Sequence, residues 1–349
     1  MNRYINTQQI YEEEYWERKR NFHKLYMKKK RRRRRIKMIV LSIGFLLAIT
    51  VGFCVAKAEM EINGVIDLMG KNTEGDLGNV DLSGIDLVSD DEVINILLIG
   101  SDRRPNESIA GRSDSTMIAT IDMKHGSLKL SSLMRDMYVT IPGYEDNRFN
   151  AAYSYGGVEL LYETIANNFK IKLDGYVVVD FEAFTNVIDR LGGVDISITE
   201  SEYEHLIDYY KDKSSKNAVN QLVPGKNLMT GEQALCYSRI RKEGNGDFRR
   251  TERQRTVLQA IFKKAKSLSL TQLFDMMKTV MPYISTDLEN EEIISYMKTV
   301  VMMGTTELNQ FRVPVDDTFT NETIRGMKVL VPDMDTNARL LYDFIYNQE

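Results

Sequence analysis

The chain has 349 residues, 43% of them apolar, which is ordinary for a globular protein and enough for one large domain or two small ones. Its only cysteines are Cys54 and Cys236, one in an apolar run near the start and one far away, so no disulfide is expected and the fold must be stable unaided. The formal net charge of −4 hides a split: residues 1–37 carry fourteen Lys and Arg against four acids, and the remainder carries thirty-two against forty-six.

A basic head and an acidic body suit two environments. Between them, Met38 to Ala56 is a run of 19 residues without a charge. At about 1.5 Å of rise per residue, that run nearly matches a hydrocarbon core of roughly 30 Å. It is read as an uncleaved transmembrane helix at 38–57, since 37 residues precede it and a small-x-small cleavage site is poor here. The Lys28–Lys37 cluster just before it places residues 1–37 in the cytoplasm as a basic tail and the acidic bulk outside. Beside a span, such a cluster is expected to meet membrane lipid headgroups, not nucleic acid.

Residues 58–90 are acidic and rich in Gly and Asp, and read as an extracellular stalk or linker. A globular extracellular domain is expected over 91–349. It opens with "VINILLIG", a buried-strand signature, followed by a polar loop to about Arg112. "STMIATID" and "SLKLSSL" around "MKHG" read as a hairpin, and "MYVTIP" as a further strand. Then come a helix ("GGVELLYETIANNF"), a strand ("GYVVVDF"), a helix with a Gly stop ("EAFTNVIDRLGG") and a strand ("VDISITE"). Residues 208–228 read as a polar loop, and "TGEQALCYSRIR" starts a helix. Helices are expected near 269–282, 290–303 and 335–347, with "QFRVPV" and "MKVLVP" as closing strands. Strands alternating with helices give an α/β fold, a mixed central β-sheet flanked by helices.

The stretch from Gly244 to Ala265 predicts a helix with an unusual stripe. Val257, Leu258, Ile261, Phe262 and Ala265 mark its core side, and stepping back by four and seven residues meets Arg250, Arg253 and Gln254. Arginine has no neutral form to retreat to, so an inward-facing one needs anionic partners.

Other polar signals fall just after strands. Asp102, Arg103, Arg104, Arg112 and Asp114 follow the first; Arg135 and Asp136 end another; Arg239, Arg241, Asp247, Arg250, Arg253 and Gln254 cluster later. Taken singly, any Asp–Arg pair here reads as a surface ion pair. If the three segments converge at strand ends, they hold a polyanion in guanidinium forks with a hard cation on Asp oxygens; a diphosphate with Mg²⁺ (or Mn²⁺) fits. The histidines, His23, His125 and His205, accompany no G-x-S-x-G, which argues against a Ser-His-Asp hydrolase and a zinc site. No common nucleotide-binding loop motif occurs.

Eight ordered segments, "NILLIGSDRR", "GRSDSTMIATID", "LSSLMRDMYVTIPGY", "RFNAAYSYGG", "YVVVDFEAF", "RLGGVDISI", "LMTGEQALCYSRIRK" and "GDFRRTERQ", resemble the LytR-CpsA-Psr family of bacterial cell-envelope enzymes over roughly residues 93–265. The resemblance implies an α/β/α domain and a membrane-anchored phosphotransferase. Such an enzyme moves a glycopolymer (teichoic acid, capsule or related polysaccharide) from a polyprenyl diphosphate carrier to peptidoglycan, binds Mg²⁺ or a similar ion, and buries the lipid in an apolar tunnel. Carried over by position, Asp102 and Asp114 take the metal-side role, with Asp102 also the expected base. Arg112, Arg135, Arg239, Arg241 and Arg250 form the diphosphate clamp, Asp247 and Gln254 orient it, and Arg103 is a lesser member. Met134 and Ser101 stand where the family often has proline and threonine. A carrier-lipid hydrolase, a membrane-anchored transcription attenuator and a non-catalytic binding module are the alternatives.

Overall fold

The computed structural model describes residues 75–101, 113–211, 221–241, 246–268, 272, 284–305 and 307–347, all within one unit, Asn63–Glu349. The apolar run at Met38–Ala56, all but residue 272 of the helix expected at 269–282, and the polar loop with Asp102, Arg103, Arg104 and Arg112 lie outside the described residues. Among the described residues, no helix is long and apolar enough to cross a membrane.

A six-stranded mixed sheet forms the centre, in the order β10-β3-β2-β1-β6-β9. Its strands are β1 (Val93–Ser101), β2 (Ser113–Asp122), β3 (Ser127–Leu133), β6 (Gly175–Val179), β9 (Ile284–Thr286) and β10 (Leu308–Val313). The hairpin β2–β3 and the pair β1–β2 are antiparallel, while β6 joins β1 and β10 joins β3 in parallel. Alternation along β1 sends Leu97 and Ile99 into a core with α1 (Phe149–Phe169) and α7 (Met334–Tyr346). Phe149, Leu161, Ile165, Leu341 and Ile345 complete that core at zero exposure, each contributing on the order of 2 kcal/mol through buried apolar surface.

A second core gathers α2 (Phe181–Arg190), β7 (Val194–Ile198), α3 (Glu200–Lys211), β8 (Gly225–Met229), α4 (Gly231–Ser238) and α5 (Gly246–Lys266). Helix α6 (Asn290–Met303) follows β9. A hairpin, β11 (Phe319–Ile324) with β12 (Met327–Pro332), lies beside β4 (Tyr138–Val139) through a bridge from Met137 to Leu330. β4 pairs with β5 (Asn147–Arg148).

Several expectations shift. The strand read in "MYVTIP" shortens to two residues, because the chain turns to meet β5. Helix α1 begins seven residues before "GGV" and bends at Gly157, whose φ of 62° few other residues tolerate. "VDISITE" does not join the central sheet but pairs with β8, which falls in the stretch read as loop. Residues 75–90 lie along the domain and not as a loose stalk: Leu77 is buried, and Val88 exchanges backbone hydrogen bonds with Lys170 and Lys172.

Candidate active site

Asp114 comes from the start of β2 and Arg135 from the end of β3, two antiparallel neighbours. Arg239 caps the C-terminus of α4, after which the chain extends through Ile240 and Arg241. Ile240 buries itself in the second core, so Arg239 and Arg241 turn together to the opposite side. Helix α5 starts against this segment. A methyl group on Gly246 would collide with the Arg241 carbonyl oxygen, so glycine is what permits the close approach.

These elements meet in one chain of charge. Arg241 Nη2 lies 3.8 Å from Asp114 Oδ1, and Arg135 Nη1 donates to the same oxygen at 3.3 Å. Arg135 Nη2 donates to Asp247 Oδ1 at 3.4 Å, and Arg250 Nη1 sits 2.6 Å from that atom. Asp136 is shared by Arg135 Nε and Arg148 Nε, both at 3.5 Å. With Arg239 on the wall, five guanidinia face three carboxylates, so the cluster is net positive. Nε of Arg135 and Nε of Arg250 are buried without a hydrogen-bond partner among the described residues. Such donors are costly to leave unmet unless a ligand takes them.

Arg250 is 4% exposed. Burial, with Arg135 and Arg241 nearby, pulls its guanidinium down to about 10, even against the pull of Asp247. Burial and a hydrogen bond with Asp247 push Asp136 above the usual carboxylate range, against Arg135 and Arg148. Burial also works against ionising Asp247, but its hydrogen bond with Asp136 and the charges of Arg250, Arg135 and Arg241 hold it below that range.

The cluster stands at the mouth of a cavity of about 160 Å³. Leu98 and Met117 on the sheet, Phe181 and Phe184 on α2, Leu235 on α4 and Leu258 on α5 line it, together with Asp114, Arg239, Arg241, Arg250 and Gln254. Arg239 lies over the Phe181 ring at 4.7 Å, so its charge is held against the apolar wall. Asp180 also lines the cavity, but its carboxylate caps α2 by accepting from the Ala183 amide at 2.7 Å. The structure thus brings together Asp114, Arg135, Arg239, Arg241, Asp247, Arg250 and Gln254.

Arg253 does not join them. Its Nε pairs with Glu202 at 2.7 Å and its Nη1 donates to the Ile240 carbonyl at 3.1 Å, on another side of α5. One participant, Arg148, escapes the sequence reading: it carries no motif signal and enters only because β5 pairs with β4. Asp136 is grouped with Arg135 at a strand end by the sequence but given no role there.

As for a divalent cation, Asp114 is a hard oxygen donor at the mouth. Among the described residues no group of three His, Cys, Asp or Glu could hold a metal, and Asp102 lies outside them.

An apolar cavity rimmed by under-matched guanidinia on a mixed α/β sheet suits an amphiphilic anion, an apolar chain ending in phosphate. The chain belongs to the LytR_cpsA_psr family, whose sequence model matches residues 62–343. Over 214 residues it is 33% identical to a Bacillus anthracis protein named polyisoprenyl-teichoic acid–peptidoglycan teichoic acid transferase TagU, the match taking in 60% of this chain and 66% of that one. It is 29% identical over 262 residues to regulatory protein MsrR of Staphylococcus aureus, covering 74% and 76% of the two chains. The crystal structure of Bacillus subtilis TagT superposes with a TM-score of 0.59 at 25% identity, covering 75% of this chain and 96% of that one. A TagT structure with bound octaprenyl pyrophosphate lipid gives 0.57 at 23%, covering 75% and 95%, and at that identity speaks to the fold alone.

Proposed function

We propose that the chain is a membrane-anchored phosphotransferase. It moves a cell-wall glycopolymer from a polyprenyl diphosphate carrier to peptidoglycan, outside the cell, with its N-terminus in the cytoplasm and its apolar run at 38–57 as anchor. One observation carries the reading: a buried arginine, Arg250, sits with an unmatched donor beside Arg135 and Arg241 at the mouth of an apolar cavity. The transferase name of the TagU relative supports it.

In this reading the apolar depth takes the prenyl chain and the arginines take the diphosphate. The acceptor hydroxyl attacks the sugar-linked phosphorus, the bond to the bridging oxygen breaks, and polyprenyl phosphate leaves. Arg135, Arg241 and Arg250 face the charge that grows on the equatorial and leaving oxygens, so positioning and electrostatics do most of the work. Asp247 holds Arg135 and Arg250 in register. Mg²⁺ or Mn²⁺, held by Asp114 with Asp102, would supply further charge on the phosphate oxygens. Arg112 belongs to the proposed clamp from the sequence, and Arg103 to the pocket as a lesser member.

The test uses the full-length chain in detergent with a synthetic polyprenyl diphosphate glycan, peptidoglycan oligomers and Mg²⁺. Mass spectrometry should show a phosphodiester-linked glycan–peptidoglycan adduct that Arg250→Gln abolishes. Free phosphorylated glycan without adduct, across several donors and acceptors, would make the protein a hydrolase instead.

A further inference from the structure

An in-line displacement at phosphorus puts the attacking oxygen opposite the leaving one. If the lipid phosphate leaves from the apolar cavity, the acceptor must arrive from the far side of the arginine wall. A second cavity, of about 610 Å³, meets the same charged cluster through Asp136 and Asp247. It shares no lining residue with the first. The two are joined by the wall itself: Asp247 lines the second cavity and pairs with Arg250 of the first, and Arg135 bridges Asp114 on one side to Asp136 on the other.

The lining differs in kind. Asn321, Glu322, Thr323 and Lys328 of the β11–β12 hairpin are all exposed, and they line it with Phe248 and Phe319, whose rings stack at 5.5 Å. Neutral and charged hydrogen-bonding groups beside aromatic rings suit a hydroxyl-rich chain with apolar ring faces. The surface continues in that character. Arg148 Nη2 donates to the Lys328 carbonyl at 2.7 Å, and its neighbour Asn147 donates to the Tyr155 hydroxyl at 2.8 Å. Tyr155 stacks on Tyr144 at 4.8 Å, and both stay exposed, at 44% and 52%.

We propose that this second cavity is the acceptor subsite, taking a hydroxyl-bearing oligosaccharide strand, and that Asp136 at its inner end receives the hydrogen of the attacking hydroxyl. The inference rests on the phosphotransferase reading and deepens it. The step balances: the hydroxyl oxygen bonds phosphorus, its proton passes to the Asp136 carboxylate, and the bridging P–O bond breaks to release polyprenyl phosphate. Asp136 is placed for this by Arg135 and Arg148, and it lines the cavity beside Asp247, its hydrogen-bond partner. Burial raises its carboxyl, so once the proton it shares with Asp247 has left, its ionised form is a stronger base than an ordinary aspartate.

The test separates acceptor from donor in the full-length chain. Chitotetraose is the binding probe for the second cavity and farnesyl diphosphate for the first. Asn321→Ala with Thr323→Ala, both on the exposed hairpin, should weaken chitotetraose binding at least about tenfold, as expected when paired hydrogen bonds are lost. It should raise the acceptor KM similarly, with farnesyl diphosphate binding and donor KM unchanged. Asp136→Asn should lower kcat by about 10²-fold or more, as for loss of a general base, with both KM values near those of the unaltered chain and the acid limb of the pH profile gone. Loss of oligosaccharide binding in the hairpin variant, in a chain that transfers to no acceptor, would keep the subsite and sink the transferase reading. Unchanged acceptor binding and KM in the hairpin variant, or undiminished kcat in Asp136→Asn, would overturn the proposal.

Discussion

Two arginines three residues apart on α5 are equally buried, Arg250 at 4% and Arg253 at 3% exposure, and do opposite work. Arg253 is matched on every side the structure shows: Glu202 on its Nε, the Ile240 carbonyl on its Nη1 and the Tyr237 ring at 6.0 Å. Arg250 leans on one half-buried carboxylate that Arg135 also uses, keeps an unpartnered Nε, and has two further guanidinia close by. Burial alone therefore says nothing about function. What separates a structural arginine from a ligand-binding one is whether the protein itself completes its hydrogen bonds.

The contrast breaks most visibly when Arg253 is lost. Arg253→Met should strand Glu202 as an uncompensated buried charge and cost about 3–5 kcal/mol of stability, the usual result of removing one partner of a buried pair. Urea denaturation would read this as a lower midpoint. Arg250→Gln should do the reverse. Stability should hold or rise, because a crowded like charge goes, while transfer falls by about 10²–10³-fold, the scale of a lost oxyanion donor. If Arg250→Gln unfolded the protein and Arg253→Met did not, the assignment of roles would be inverted.

Gly246→Ala sharpens the comparison from the backbone side. The added methyl must push α5 away from the Arg241 carbonyl, moving Arg241 and Arg250 relative to one another. Overpacking of this kind costs about 1–3 kcal/mol, and activity should fall more than that stability loss explains. The smallest effect concerns pH. Asp136 has a raised carboxyl in the folded chain, so the native state binds more protons than the unfolded one between the ordinary aspartate value and the raised one. Stability from this group is therefore present in acid and lost as pH climbs through that window. Denaturation curves of Asp136→Asn against pH should lack that loss.

Much of this was legible in residue patterns. The β2–β3 hairpin, the buried strand "VINILLIG" and helix α5 all follow from periodicity and turn chemistry, since each is local. The inward stripe of Arg250, Arg253 and Gln254 also followed from helical spacing. Which arginine faces a ligand did not. Glu202 is fifty-one residues from Arg253, on α3, a helix that falls partly in a stretch read as polar loop, and nothing in the spacing announces their contact. The same holds for Arg148, which reaches Asp136 only through a two-stranded pairing. The second cavity was hidden for a related reason. Its hairpin is exposed and polar along β11, a pattern that resembles a loop until β12 pairs with it.

The most direct measurement of the central claim is thermal stabilisation of the full-length chain by farnesyl diphosphate, compared among the unaltered protein, Arg250→Gln and Arg253→Lys. A ligand present at 100 times its Kd should stabilise the unaltered chain by about 2.7 kcal/mol. That shift should vanish in Arg250→Gln and persist, from a lower starting Tm, in Arg253→Lys. Equal stabilisation of the unaltered chain and Arg250→Gln would contradict the account, because the unmatched guanidinium would then not be where the diphosphate binds.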